Sequence, residues 1–271
     1  SDPERLVVVY ENNRQRGWEE MPASAPNFLD WGSQNRVFEE MAAVISDARV
    51  LTGAERPERL PTARVSASLF PMLGVQPLLG RTFLPEEDEE GRHFVALLSV
   101  ELWQRRFGGD PDIVSKTITL DGKPYTVVGV MPAGFEVLNH PTELWEPIAF
   151  TAIDKSGRQN HIFSVLARLK PTVTIRATAP IAREALITIG DFTVSRTGST
   201  AGPLTVSYAV SGSATAGSDY QPLSGNVTIP AGSATTTIAV IPIDDDLVEP
   251  EETVQVSLGS GAGYVVGTPG S

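Results

Sequence analysis

The stretch Leu204-Thr205-Val206-Ser207-Tyr208 alternates apolar side chains with side chains that carry a hydroxyl group. This two-residue period is typical of a strand with one buried side and one side in water. Related stretches recur at short spacing on either side of it: Val173-Thr174-Ile175, Phe192-Thr193-Val194, Val227-Thr228-Ile229, Thr237-Ile238-Ala239-Val240 and Val254-Gln255-Val256-Ser257-Leu258. Short strands at this spacing predict an all-β sandwich beginning near Pro171.

The sequence before Pro171 has a different pattern. Residues 6–10, Leu-Val-Val-Val-Tyr, predict a buried strand because they form a short β-branched run. Ser24 is a predicted N-cap, followed by Pro26 in the first helical turn. Aromatic and apolar residues then recur near helical spacing at Phe28, Trp31, Phe38 and Met41. They predict one amphipathic helix, bent at Gly32-Ser33.

A second helix and a hairpin are predicted further along. Ser99 is a predicted N-cap, and the following helix carries Leu102, Trp103 and Phe107 on one side before it stops at Gly108-Gly109. Residues 117–120 and 125–130 flank Asp121-Gly122, a dipeptide that tolerates the positive φ angles of a tight turn. The first 170 residues are therefore predicted to be an α+β domain.

Charge and composition restrict the classes of partner. The 271 residues carry a formal net charge of −12, which argues against nucleic acid and against an anionic membrane surface. Residues 1–170 hold 18 basic and 24 acidic side chains, whereas residues 171–271 hold 3 and 9. There are no cysteines, so disulfides and thiolate metal sites are excluded. No apolar run is long enough for a membrane helix, and no secretory signal opens the chain.

Six blocks of the first domain resemble, in order, the MacB-like periplasmic core domain of ABC-transporter permeases. They are Asn27-Phe28-Leu29-Asp30-Trp31, Gln34-Asn35-Arg36-Val37-Phe38, Leu73-Gly74-Val75-Gln76-Pro77, Leu79-Gly80-Arg81-Thr82-Phe83, residues 102–109 and Val127-Val128-Gly129-Val130-Met131-Pro132. The resemblance implies a domain on the periplasmic or extracellular side of the inner membrane. It implies contacts with envelope or transporter proteins, no enzymatic activity, and a transported substrate that these residues do not specify.

Three blocks of the second domain resemble the Calx-beta domain. They are residues 212–220, residues 229–232 and the acidic segment 243–253. The resemblance implies an immunoglobulin-like sandwich, and it implies Ca²⁺ as a ligand held by carboxylates from separate loops at one tip. Ca²⁺ takes about six to eight oxygen ligands, so several loops must contribute. The residues that match best are Asp219, Asp245 and Glu249, and those ranked after them are Glu184, Asp244, Asp246 and Glu251.

The sequence ends at Gly267-Thr268-Pro269-Gly270-Ser271, where a last strand and further acids follow in the resembled family. We therefore expect calcium binding to be absent or no tighter than a dissociation constant of about 10⁻⁴ to 10⁻³ M. At Lys170-Pro171 the two patterns meet without a flexible linker. The predicted domains are thus residues 1–170, expected to be incomplete at its C-terminal end, and residues 171–271. A recombined gene, a fusion and an assembly artefact would each account for the junction.

The sequence supports two interpretations of function. The first is a non-enzymatic, extracytoplasmic part of a permease-like protein in the cell envelope. The alternative is a secreted or surface protein of the calcium-dependent adhesion or matrix class. The histidines at 93, 140 and 161 are predicted to be ordinary surface residues, and the acidic run 86–90 is predicted to be a solvated loop.

Overall fold

The computed structural model describes residues 3–53, 56–138, 140–184, 187–245 and 250–268. The chain divides into two compact units, a first unit from Pro3 to Arg168 and a second unit from Leu169 onward. Within the described residues, no helix combines the length and apolar character needed to cross a membrane.

The first unit is a large mixed sheet with a few short helices. Its strands are β1 Leu6–Val9, β2 Glu11–Asn13, β3 Trp18–Met21, β4 Phe38–Thr52, β5 Glu58–Val65, β6 Leu79–Gly80, β7 Val95–Ser99, β8 Thr117–Leu120, β9 Lys123–Met131, β10 Leu144–Pro147 and β11 Ser164–Leu169. Its helices are α1 Ala25–Gln34, α2 Leu69–Leu73, α3 Val100–Phe107 and α4 Ala152–Ser156. The main sheet has the order β1-β11-β4-β5-β10-β7-β9-β6, β8 pairs with β4 and β9, and β2 pairs with β3 in a separate hairpin.

The central strands of this sheet are buried on both faces. Strand β10 runs parallel to β5 and antiparallel to β7. Its Trp145 packs in one apolar cluster with Phe70 of α2, while its Leu144 packs in another with Leu102 of α3. Alternate side chains of one strand point to opposite faces, so α2 and α3 cover opposite faces of the sheet. Double burial explains why β10 is mostly apolar over four residues.

The helix ends follow the predicted capping. The Ser99 hydroxyl accepts the N–H of Leu102 at 3.1 Å, and Gly108 ends α3 with φ of 62°. Ser24 caps α1 in the same way, at 3.4 Å from the N–H of Asn27. The Asp121-Gly122 turn between β8 and β9 is also confirmed, with φ of 49° and 76°.

Two details of the prediction are wrong. The helix that begins after Ser24 does not reach Phe38 and Met41, which lie in β4. Asn35 has extended backbone angles, and its side-chain oxygen accepts the N–H groups of Val37 and Phe38, so the helix ends there. Strand β1 forms as predicted, but it lies at the sheet edge and is only half-buried.

The second unit is β-rich. Its strands are β12 Thr172–Ala179, β13 Gly190–Arg196, β14 Leu204–Gly212, β15 Asn226–Ile229, β16 Thr235–Val240, β17 Val254–Leu258 and β18 Val265–Val266. One sheet has the order β16-β13-β12-β18 and the other has the order β15-β14-β17. All six predicted strand segments lie in these strands. Val173 and Val194 of the first sheet share a buried cluster with Val206 and Ile229 of the second.

Candidate functional site

The loops that carry the predicted calcium ligands emerge at one end of the second unit. In the first sheet, the end of β12 pairs with the start of β13, and Gly190 of β13 pairs with Val240 at the end of β16. In the second sheet, Gly212 at the end of β14 pairs with Val254 at the start of β17. The segments that follow or precede these strand ends contain Glu184, Asp219, Asp244, Asp245 and Glu251.

Backbone hydrogen bonds join two of these loops directly. The Ile243 N–H donates to the Asp219 carbonyl at 3.0 Å, and the Gln221 N–H donates to the Ile241 carbonyl at 2.9 Å. Tyr220, which lies between them, is buried and forms a bridge with Pro242. Asp219 is therefore held beside the segment that leads into Asp244 and Asp245.

The Asp219 carboxylate also has a local structural role. Its Oδ2 accepts the Thr215 N–H at 2.5 Å, and the Asp219 N–H donates to the Thr215 carbonyl at 3.0 Å. Short polar side chains commonly close turns by this kind of bond to a nearby N–H. Only one Asp219 oxygen is thus without a bond to the turn.

A third segment is tied to the same loop by hydroxyl groups. The Thr253 N–H donates to the Ser213 hydroxyl at 2.9 Å, and the Ala214 N–H donates to the Thr253 carbonyl at 3.2 Å. Glu251 is two residues from Thr253. Ser213, Thr215 and Thr253, which organise these loops, were not among the predicted site residues. The Ser213–Thr253 bond joins positions 40 residues apart, whereas the bond from the Thr215 N–H to Asp219 spans four residues within one turn.

Glu184 belongs to a separate turn of the same end. The Arg183 N–H and the Thr188 carbonyl are 3.0 Å apart, and the Ile187 N–H donates to the Glu184 carbonyl at 2.9 Å.

Asp246 and Glu249, two of the seven predicted ligands, lie outside the described residues. Over residues 3–53, 56–138, 140–184, 187–245 and 250–268, no group of three or more His, Asp or Glu side chains is arranged to hold a metal ion. The described carboxylates alone do not fit Ca²⁺, which needs about six to eight oxygens.

The acidic run 86–90 of the first unit is not the solvated loop that was expected. Glu87 is buried and forms a two-pronged ion pair with the Arg81 guanidinium, at 2.7 and 2.9 Å. Asp88 is partly buried, and its Oδ2 accepts the Ala67 N–H at 2.8 Å. Two of the five acids therefore serve the packing of the first unit.

Two of the six sequence blocks of the first domain contain a glycine that the structure requires, Gly80 in one and Gly129 in the other. Gly80 in β6 has φ of 75°, and a Cβ there would lie 2.1 Å from the Val128 carbonyl oxygen. Gly129 faces it from β9, where a Cβ would lie 2.6 Å from the Arg81 carbonyl oxygen. Only residues without a side chain allow the two strands to approach this closely.

Residues 1–185 match the family model of the MacB-like periplasmic core domain. The chain belongs to this family. The first unit is accordingly a MacB-like unit, and the family's description places such domains in the periplasm. Residues 171–270 match the model of the Calx-beta domain, so both models cover residues 171–185.

Solved structures similar to the chain come from both families. The periplasmic region of MacB from Actinobacillus actinomycetemcomitans is 15% identical, with 60% of this chain and 73% of that chain covered at a TM-score of 0.45. The extracellular domain of the noncanonic ABC-type transporter YknZ from Gram-positive bacteria is 13% identical, with 60% and 81% covered at 0.44. The apo-form Calx CBD1 domain is 22% identical, with 36% and 88% covered at 0.30. No curated protein matches the chain.

Proposed function

We propose that this chain is an extracytoplasmic part of an ABC-transporter-permease-like protein of the cell envelope. It acts through contacts with envelope or transporter proteins and not as an enzyme. The observation that carries the proposal is the match of residues 1–185 to the MacB-like periplasmic core domain. The domain boundary we propose is Lys170-Pro171, which lies close to the division between the two compact units.

An exposed apolar surface on the MacB-like unit supports a role in protein contacts. Ile153 of α4 is 82% exposed, and Leu29 of α1 and Ile162 before β11 are each 41% exposed. The elements that carry these side chains are joined, because Arg158 donates to both Asn27 and Asp30 of α1 at 2.7 Å. Exposed apolar groups within one region are typical of interaction surfaces.

Site-specific photo-crosslinking tests the proposal in cells that make the complete protein. A photoreactive residue replaces Ile153, and a matched control replaces Leu78, an aliphatic side chain that is 55% exposed elsewhere on the same unit. We expect a transporter or envelope component to be crosslinked from position 153 and not from position 78. Identical products from both positions, or no envelope protein from position 153, would contradict the proposal. Crosslinks only to matrix proteins would favour the adhesion class.

We also propose that the second unit is an immunoglobulin-like sandwich with a weak calcium site at the end described above. The supporting observation is the Ile243 to Asp219 hydrogen bond, which holds two acidic loops together. Asp219, Asp244, Asp245 and Glu251 would supply the described carboxylates, together with the remaining predicted ligands. A dissociation constant near about 10⁻³ M is expected for such a site.

Thermal unfolding with Ca²⁺ and then with a chelator tests the calcium proposal. Ca²⁺ at about ten times its dissociation constant stabilises the state that binds it by about 1.4 kcal/mol. Asp219→Asn keeps an oxygen for the Thr215 N–H but removes the charge, so it should abolish the shift. Asp112→Asn removes one charge from the exposed surface of the MacB-like unit and should leave the shift intact. The absence of any shift in the unmodified protein would rule out the calcium site.

A further inference from the structure

A cleft of about 340 Å³ opens beside the β2–β3 hairpin of the MacB-like unit. Residues of the hairpin and of the segment before β11 line it: Glu11, Asn12, Asn13, Arg16, Trp18, Met21, Gln159 and His161. The volume is within the range of small-molecule sites, about 300 to 1,000 Å³. The lining combines an indole ring with a guanidinium group, three amides, an imidazole, a thioether and one carboxylate.

The only acidic side chain of the lining is already engaged. One oxygen of Glu11 accepts the Ser24 N–H at 2.8 Å, and the other lies 2.9 Å from Nδ1 of His161. The Glu11 side chain is only 12% exposed. The Glu11 carboxylate is thus largely shielded from solvent and already has a polar neighbour at each oxygen.

The positive charge of the lining is, by contrast, available. The Arg16 guanidinium carbon lies 5.1 Å from the centroid of the Trp18 ring, and both side chains are exposed. Among the described residues, no carboxylate lies within ion-pair distance of Arg16, whereas Arg49, Arg81 and Arg105 each have at least one such partner. A guanidinium held against an aromatic face is pre-organised for a planar anion.

The amides next to Arg16 supply further donors and acceptors. The side-chain amide oxygen of Asn13 accepts the backbone N–H of Arg16 at 3.2 Å, which fixes the turn and leaves the Asn13 NH₂ group as a donor. Asn12 and Gln159 are exposed amides on the same cleft. An amide side chain both donates and accepts, so it suits hydroxyl or amide groups on a ligand.

We infer that this cleft binds a small organic carboxylate that carries hydroxyl or amide groups beside its acid group. Arg16 binds the carboxylate, the Trp18 ring packs against the carbon skeleton, and the amides bind the polar substituents. An acidic sugar and the C-terminus of a peptide share this chemistry.

The test is titration of the complete chain with two acids and with their neutral counterparts. Binding is monitored by the NMR signal of the Trp18 indole N–H. Glucuronate is matched by glucose, and N-acetylglycine by N-acetylglycinamide. We expect at least one acid to bind with a dissociation constant of about 1 mM, and its neutral counterpart to bind at least about tenfold more weakly. The stronger of the two acids identifies the source of the ligand.

Two variants distinguish a built site from general attraction of anions. Arg16→Gln should weaken binding of the acid at least about tenfold. Arg14→Gln removes the same charge from the same turn but does not line the cleft, so binding should be unchanged. The inference is overturned if neither acid moves the Trp18 signal up to about 20 mM, or if the two arginine variants weaken binding equally.

Discussion

At Asp88, a carboxylate is packed inside the MacB-like unit with a single bonded oxygen. Its Oδ2 accepts the Ala67 N–H, while its buried Oδ1 has no hydrogen-bond partner among the described residues. Burial raises the pKa of this carboxyl from 3.8 to about 6. Backbone N–H groups of Ala67 and Ile148 oppose the rise, and the charge of Glu87 adds to it.

This raised pKa predicts that stability depends on pH in a particular direction. The folded state holds the Asp88 proton between about pH 4 and pH 6, where the unfolded state has released it. The contribution to stability is therefore complete below pH 4 and is lost as the pH rises through 6. The full shift corresponds to about 3 kcal/mol, and we expect about 1 to 2 kcal/mol because the group is only partly buried.

The measurement is the free energy of unfolding in denaturant between pH 4 and pH 7. Asp88→Asn should remove this part of the pH dependence, since its side chain does not titrate. Glu90→Gln, in the same acidic run but exposed, should retain it. An Asp88→Asn protein with the pH dependence of the unmodified chain would show that Asp88 is not the responsible group.

The sequence did not reveal which acids of this run point inward. Five neighbouring acids between Pro85 and Gly91 predict a solvated loop, because such acids normally repel one another into water, but Pro85–Asp88 form a 3-10 helix with Glu87 buried. Which acids are buried depends on two contacts. Arg81 pairs with Glu87, and the Ala67 N–H, 21 residues before Asp88, donates to the Asp88 carboxylate. Such contacts depend on the assembled fold and not on local pattern.

At the scale of single elements, the same substitution should have opposite effects in α1 and in β9. Gly32 lies in α1 with no atom near the position of a Cβ, so Gly32→Ala should stabilise the helix by about 0.5 to 1 kcal/mol. Gly129→Ala would place a methyl group 2.6 and 2.7 Å from the carbonyl oxygens of Arg81 and Leu79. The strands must then move apart, at a cost of about 1 to 3 kcal/mol.

Chemical denaturation of the two variants measures this contrast directly. The midpoint should rise for Gly32→Ala and fall for Gly129→Ala. Equal shifts would mean that the close approach of β6 and β9 is not what requires glycine at position 129.

Elements with local signals were predictable, and elements without them were not. Helix α3 was predicted with both ends because Ser99 and Gly108 are capping residues, and the β8–β9 hairpin because Asp121-Gly122 tolerates its turn. Phe38 and Met41 fit a helical period by coincidence, and the prediction missed the hydrogen bonds of Asn35 that end α1. Strand β10 has only four residues, and its place in the sheet is fixed by long-range pairing.

At the scale of the whole molecule, the change of composition near Pro171 and the ordered sequence blocks were sufficient to recognise both families. The seven candidate ligands were named from a resemblance. Their loops could be placed together only through registers such as Gly212 with Val254 and contacts such as Ile243 with Asp219. The position of the described carboxylates depends on these pairings, which short-range sequence patterns do not encode.

Each unit has its own buried apolar clusters, and we therefore predict two unfolding transitions for the complete chain. Tyr264 allows the second transition to be identified. Its hydroxyl accepts the Ser207 N–H at 3.1 Å and donates to the Gly259 carbonyl at 2.8 Å. Tyr264→Phe removes this hydroxyl, so the Ser207 N–H and the Gly259 carbonyl both lose it as a hydrogen-bond partner. Unpaired buried polar groups cost about 1 to 3 kcal/mol. In a unit of this size, each kcal/mol lowers the midpoint by about 4 to 8 °C.

Differential scanning calorimetry of Tyr264→Phe and of Gly129→Ala provides the comparison. Each variant should lower one transition and leave the other in place, and the two affected transitions should differ. A single transition that both variants lower would show that the units unfold as one cooperative body. In that case the MacB-like unit would depend on the second unit for its stability, as expected if residues 1–170 alone leave its core incomplete.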